Sequence, residues 1–136
     1  MSELSNQIIG AAIEVHKTLG PGLLESTYER CLVHELTLRG IHVERQKKQP
    51  IHYKGLEIDE GYRIDVLVDK KIILELKVVK QLNDIHTAQL LTYLKLSGCT
   101  LGFQINFNEV LLKDGIKRIV NNYQEPPSVS SANSAV

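Results

Sequence analysis

The sequence predicts an α/β or α+β domain, a sheet with helices on its faces. Three observations predict it. Apolar residues recur at helical spacing from Leu4 to Leu38, they alternate strictly from Tyr62 to Val79, and a third helical stretch then gives way to further extended runs. The implied order is ααββββαββ, in one domain over residues 1–123.

Between Leu4 and Leu19 the apolar stripe is Ile8, Ala12, Val15 and Leu19, with Ile9, Ile13 and His16 alongside, and Gly20-Pro21-Gly22 ends the helix. The second helix is expected from Leu23 to Leu38 with Leu24, Tyr28, Cys31, Leu32 and Leu36 inward, and Arg39-Gly40 supplies a cationic last turn and a glycine stop. Extended stretches near Ile41 to Gln46 and Ile51 to Lys54 precede two alternating runs, Tyr62 to Val68 and Ile72 to Val79, which read as a hairpin about Asp69-Lys70-Lys71. Asn83 or Asp84 is a good N-cap for the third helix, which runs to Gly98. Leu101 to Phe107 and Val110 to Leu112 then read as strands, followed by a short element from Ile116 to Val120. Residues 124–136 are rich in Pro and Ser and poor in large apolar groups, the composition of a disordered tail.

A chain of 136 residues with 43% hydrophobic and 24% charged residues can build one core without disulfides or a structural metal. Sixteen Lys and Arg balance sixteen Asp and Glu, which excludes a protein that coats nucleic acid through bulk positive charge. Cys31 and Cys99 are isolated in apolar stretches without metal-site or redox spacing, and read as buried thiols. With no basic leader and no long apolar run, the expectation is a cytoplasmic protein without membrane contact.

In the hairpin, alternation puts Ile64, Val66 and Val68 on one face and Arg63, Asp65 and Leu67 on the other. The partner strand divides into Ile72, Leu74 and Leu76 against Ile73, Glu75 and Lys77. Directly opposed residues share a face, so matching the apolar sets brings Asp65 close to Glu75 or Lys77. A three-residue loop opposes Asp65 to Glu75, and a five-residue loop opposes it to Lys77; the sequence leaves both open. Two adjacent carboxylates repel unless a cation, a lysine or a hard divalent metal, lies between them. The alternative is a solvated strand face with ordinary cross-strand ion pairs.

The segment from Gly61 to Lys77, with Asp65 and the spacing Glu75-Leu76-Lys77, resembles the core of the PD-(D/E)xK nuclease superfamily. Gln89-Leu90-Leu91-Thr92-Tyr93 is similar to the QxxxY motif of its RecB-type branch, and Gly22-Leu23-Leu24-Glu25-Ser26-Thr27-Tyr28 looks like the signature of the small bacterial GxxExxY proteins. The three segments occur in the expected order. The resemblance covers residues 5 to 123, and departs from the superfamily's name in having Ile64 where a proline can precede the first acid.

It implies a restriction-endonuclease-like core, a mixed sheet flanked by helices, and a nuclease using Mg2+ or Mn2+ on DNA ahead of RNA. Asp65 and Glu75 would be metal ligands, the Leu76 carbonyl an additional one, and Lys77 would orient or help deprotonate water. Glu25 would reach the metal, although a carboxylate in a first helical turn also simply favours the helix dipole. His16 is a further candidate ligand, against the ordinary reading of a satisfied core histidine. Gln89 and Tyr93 would hold the lysine or a substrate phosphate, against the reading of a polar pair satisfying each other. The clusters Arg45 to Lys48, Lys70-Lys71, Lys77 with Lys80, and Lys117-Arg118 form a phosphate-facing rim only if the fold makes them converge. The few aromatics favour backbone contacts over base readout. A small neutral chain has little grip on a long duplex, which points to a homodimer or a protein partner. The competing reading keeps the fold without catalysis, as a nucleic-acid-binding or protein-binding module.

Overall fold

Helix α1 (Glu3–Leu19) starts where the Ser2 side chain accepts the Ser5 N–H at 3.1 Å, and it stops at Gly20, whose φ of 75° only glycine adopts freely. Helix α2 (Glu25–Leu38) follows. Strands β1 (Val43–Lys48), β2 (Ile51–Tyr53), β3 (Leu56–Ile58), β4 (Arg63–Val68) and β5 (Ile72–Lys77) precede helix α3 (Asp84–Ser97). Strand β6 (Leu101–Asn106), a 3-10 turn (Leu112–Gly115) and β7 (Ile116–Val120) complete the order. The computed structural model describes residues 2–121, so the tail expected at 124–136 lies outside the described residues.

A five-stranded sheet has the order β1-β4-β5-β6-β7, and β2 and β3 pair with each other as a separate two-stranded sheet. All neighbours in the larger sheet are antiparallel except β5 and β6, whose parallel pairing requires a crossover, supplied by α3. Helices α1 and α2 cover one face, packing Ile8, Ala12, Tyr28, Leu32 and Leu36 with Val66, Val68, Leu74, Leu76 and Ile105. Helix α3 covers the other with Leu90 and Leu94 against Leu67, Ile73 and Ile119. The two apolar sets pin the hairpin register. A one-residue slip would turn Val66, Leu74 and Leu76 out of their core, at about 1.5–3 kcal/mol for each buried side chain.

Several local expectations are corrected. Leu56–Ile58 is a strand that the sequence pattern did not show; Lys54 and Gly55, at φ 47° and 89°, form the tight turn that folds it back on β2. Val110 to Leu112 is not a strand: Val110 and Leu111 are exposed, Leu112 enters the 3-10 turn, and β7 takes the free edge of β6 instead. Leu24 lies just before α2 and is exposed, not inward. Ile64 packs with the α3 side instead of following Val66, just beyond the last β4–β5 pair.

Asn106, fully buried at the end of β6, ties down the chain that follows β5. Its Oδ1 accepts the Val79 N–H at 3.1 Å and its Nδ2 donates to the Val79 carbonyl at 2.9 Å, while the Phe107 N–H reaches the Lys77 carbonyl at 2.9 Å. These bonds hold the backbone on both sides of Lys77's exit from the sheet. Asn106→Ala leaves the Val79 N–H without its partner and the Val79 carbonyl with only Asn108 Nδ2 at 3.3 Å, and is expected to cost about 1–3 kcal/mol in urea denaturation.

Candidate active site

The turn at Asp69-Lys70, both left-handed with φ of 53° and 56°, closes with the Lys71 N–H on the Val68 carbonyl at 2.9 Å. Its three-residue loop sets the pairs Val68↔Ile72, Leu67↔Ile73 and Val66↔Leu74. Continuing that count places Asp65 opposite Glu75, so the shorter of the two loops is the one used. The ladder ends there, because Asp65 Oδ2 accepts the Leu76 N–H at 3.0 Å in place of a main-chain carbonyl.

Past this point β4 and β5 diverge around a cleft of about 480 Å3. Asp65, Glu75 and Lys77 line it from the strands, Glu25 from the start of α2, and Gln89, Thr92, Tyr93 and Leu96 from α3, with Ile51, Tyr62 and Arg63 completing the wall. Glu25, Asp65, Glu75, Lys77, Gln89 and Tyr93 are therefore brought together as expected. No bond joins Gln89 to Tyr93 in the described structure; each faces the cleft instead.

His16 is not brought to this cleft. It is buried at the end of α1, where its Nε2 lies 2.7 Å from the Glu109 carbonyl and its ring tilts against Phe107, beside a different cavity. Being on the inward stripe of α1 places it under the chain that leaves β6. Tyr28 has a similar fixed role. Its ring stacks on Phe107 at 4.5 Å, and its hydroxyl donates to the Gly20 carbonyl and accepts the Leu23 N–H, closing the loop that delivers Glu25.

Burial is the main reason that the Asp65 carboxyl is pushed up to about 7; Glu29, Glu25 and Glu75 raise it further against the lowering effect of the Leu76 N–H. Glu25 is also raised, first by partial burial, with Lys77 opposing and Glu29 and Glu75 adding. The Tyr93 phenol is raised by burial and then by the charges of Glu75 and Asp65. Glu75 is oriented from β6: Gln104, beside it in the parallel register, donates Nε2 to Glu75 Oε1 at 3.2 Å and also reaches the His86 carbonyl.

Glu29 was not among the residues singled out from the sequence. It is almost fully buried one turn beyond Glu25, accepts Gln46 Nε2 on its two oxygens at 2.9 and 2.8 Å, and pairs with Arg45 at 3.0 Å. Two glutamates at i,i+4 repel on an isolated helix, and that spacing was the available signal. Nothing in the sequence marks Gln46, which holds a left-handed φ of 55° inside β1.

The basic clusters do not converge into one rim. Arg45, Lys47, Lys48 and Lys71 are each in ion pairs, Lys117 donates to Thr87, and Lys70-Lys71 sits at the hairpin loop away from the cleft.

Among the described residues no three His, Cys, Asp or Glu side chains gather closely enough to close a metal site, and Glu25, Asp65 and Glu75 make no ion pair. A half-buried carboxyl raised first by burial and then by neighbouring acids, with no ion-pair partner among the described residues, nevertheless fits a hard divalent ion, which takes one or two carboxylates and fills its remaining positions with water or phosphate oxygens. The all-oxygen donor set suits Mg2+ or Mn2+.

A family model described as the PD-(D/E)XK nuclease superfamily matches residues 2–119, and the chain belongs to that superfamily. The three helices and mixed five-stranded sheet among the described residues agree with its restriction-endonuclease-like core. Comparison with curated proteins and with solved structures found no match. No helix among the described residues is long and apolar enough to cross a membrane.

With its folded pKa raised from the ordinary 3.8 to about 7, Asp65 keeps a proton that the unfolded chain has already released between those values. Its contribution to stability is therefore fullest below the unfolded pKa and is lost as pH rises towards the folded one. Metal-free Asp65→Asn, which still accepts the Leu76 N–H, is expected to exceed the parent at pH 8 by on the order of a few kcal/mol. The difference should vanish at pH below about 4, as read by urea denaturation at both pH values.

Proposed function

We propose that the cleft hydrolyses phosphodiester bonds of nucleic acid, DNA ahead of RNA, with Mg2+ or Mn2+ held by Asp65 and Glu75 and supported by Glu25. The observation that carries this is the meeting of three acids and Lys77 in one cleft of a chain from a nuclease superfamily. When bound, the divalent ion supplies a water of lowered pKa and stabilises charge on the phosphate. Lys77 has no carboxylate within ion-pair distance among the described residues, which leaves its ammonium free to orient the attacking water and to offset charge developing on phosphate oxygens. Gln104 keeps Glu75 aimed into the cleft, and the Leu76 N–H fixes one oxygen of Asp65 so that the other stays available. Gln89 and Tyr93 present an amide and a phenol on the opposite wall, where they can hold Lys77 or a phosphate.

We read the chain as a member of the GxxExxY branch, working in the cytoplasm as a homodimer or with a protein partner that presents the substrate, since its zero formal charge gives it little long-range attraction for DNA. A monomer in light scattering with full activity would refute that assembly. That no closed cluster of metal ligands forms among the described residues favours the second reading, a binding module of the same fold without catalysis.

Purified protein with Mg2+ or Mn2+ and a labelled panel of single strands, duplexes, branched DNA and RNA tests the choice, with EDTA as control. Cleavage is expected, and Asp65→Asn and Lys77→Ala should each lower its rate by about 100-fold or more while circular dichroism is retained. Normal activity in either variant removes the mechanism. No cleavage together with no heat on Mn2+ titration selects the binding module.

A further inference from the structure

The β2–β3 hairpin stands apart from the main sheet, and its register pairs Ile51 with Ile58 and Tyr53 with Leu56. Alternation puts these four apolar side chains on one face and His52 with Glu57 on the other. Ile51 lines the cleft, so the apolar face adjoins the cleft wall at that residue. A face of this kind ordinarily packs on a core, yet Tyr53 is 60% and Leu56 57% exposed. Tyr62, on the same wall, is 47% exposed, and Tyr93 faces the wall from α3.

Resting on the nuclease reading of the cleft, we propose that this face receives unpaired bases, so that the substrate is a single-stranded stretch or end and not an intact duplex. Three observations select that occupant. The face meets the cleft where the phosphate would lie through Ile51, which lines both. Its cations suit a polyanion: Lys54 Nζ stands over one face of the Tyr53 ring, 5.3 Å from its centre, which leaves the other face for a base, and Arg63 in the cleft has no carboxylate partner among the described residues. The zero formal charge gives little bulk electrostatic grip, which leaves base stacking on exposed rings a larger share of the binding beside the local cations. A duplex keeps its base faces stacked on one another and offers none to Tyr53. The few aromatics therefore do not limit the protein to backbone contacts, because three of its five tyrosines gather at this cleft and hairpin.

The test is fluorescence anisotropy of the full chain in EDTA, with a labelled single strand, the same strand carrying abasic sites, and its blunt duplex, followed by cleavage of each with Mn2+. The parent is expected to bind the single strand at least about fivefold more tightly than the duplex and than the abasic strand. Tyr53→Ala should lose a similar factor on the normal strand and no longer distinguish it from the abasic one. Leu56→Ser, on the partner strand of the hairpin, should weaken strand binding in the same direction and serves if Tyr53→Ala does not fold. Equal binding of normal and abasic strands by the parent, or a duplex bound as tightly as the strand, overturns the inference. Cleavage of duplex without strand preference does so too, while leaving the nuclease reading in place. Strand-selective, base-dependent binding with no cleavage supports the base-receiving face and overturns the nuclease reading. Binding of neither strand nor duplex overturns both.

Discussion

The hydrogen bond from the Leu76 N–H to the Asp65 carboxylate is the contact on which the rest of the cleft depends. A side chain takes the place of a main-chain carbonyl, so the β4–β5 ladder closes at Val66↔Leu74 and the strands part beyond it. The gap is the cleft. Were the ladder to continue, Asp65 and Glu75 would remain cross-strand neighbours on a closed sheet, and helices α2 and α3 would have no opening in which to place Glu25 and Tyr93.

Gathering carboxylates in a half-buried opening is electrostatically unfavourable, and the surroundings show how the cost is limited. Glu29 is compensated by Arg45 and by both of its bonds to Gln46, and those bonds hold a left-handed glutamine in the middle of a strand. Asp65 is pushed up to about 7 by burial and by the neighbouring glutamates, which its one main-chain N–H only partly offsets. Uneven compensation leaves Asp65, Glu75 and Glu25 without an ion pair among the described residues, with Lys77 only near Glu25, while the acid behind them is satisfied. This distribution is the one that the proposed divalent ion would complete, and it differs from a structural ion-pair network.

Much of the fold was legible because its signals are local. The apolar stripe of α1, that of α2 apart from Leu24, and the alternation on both sides of Asp69 to Lys71 read directly, the start of α3 was narrowed to Asn83 or Asp84, and the acids and lysine of the hairpin follow from alternation. The parts that were not legible are set by neighbours distant in sequence. Val110 to Leu112 has a strand-like composition but no strand to pair with, Leu56–Ile58 is too short to show a period, and Ile64 changes sides where the ladder ends. His16 has the chemistry of a ligand, yet the phase of α1 buries it beneath the Glu109 carbonyl.

Taken alone, the sequence determined which residue types stand at which phase of each element, because the periods of helix and strand are properties of the local backbone. It thereby put Asp65, Glu75 and Lys77 on one strand face and Gln89 above Tyr93 on one helix ridge. Only the tertiary structure decided the loop register, the parting of β4 from β5, the burial of Glu29 between Arg45 and Gln46, and the alignment of the β2–β3 face with the cleft. Each of these depends on which side chain fills a space or takes a hydrogen bond from a chain segment remote in sequence, and no local pattern encodes that competition.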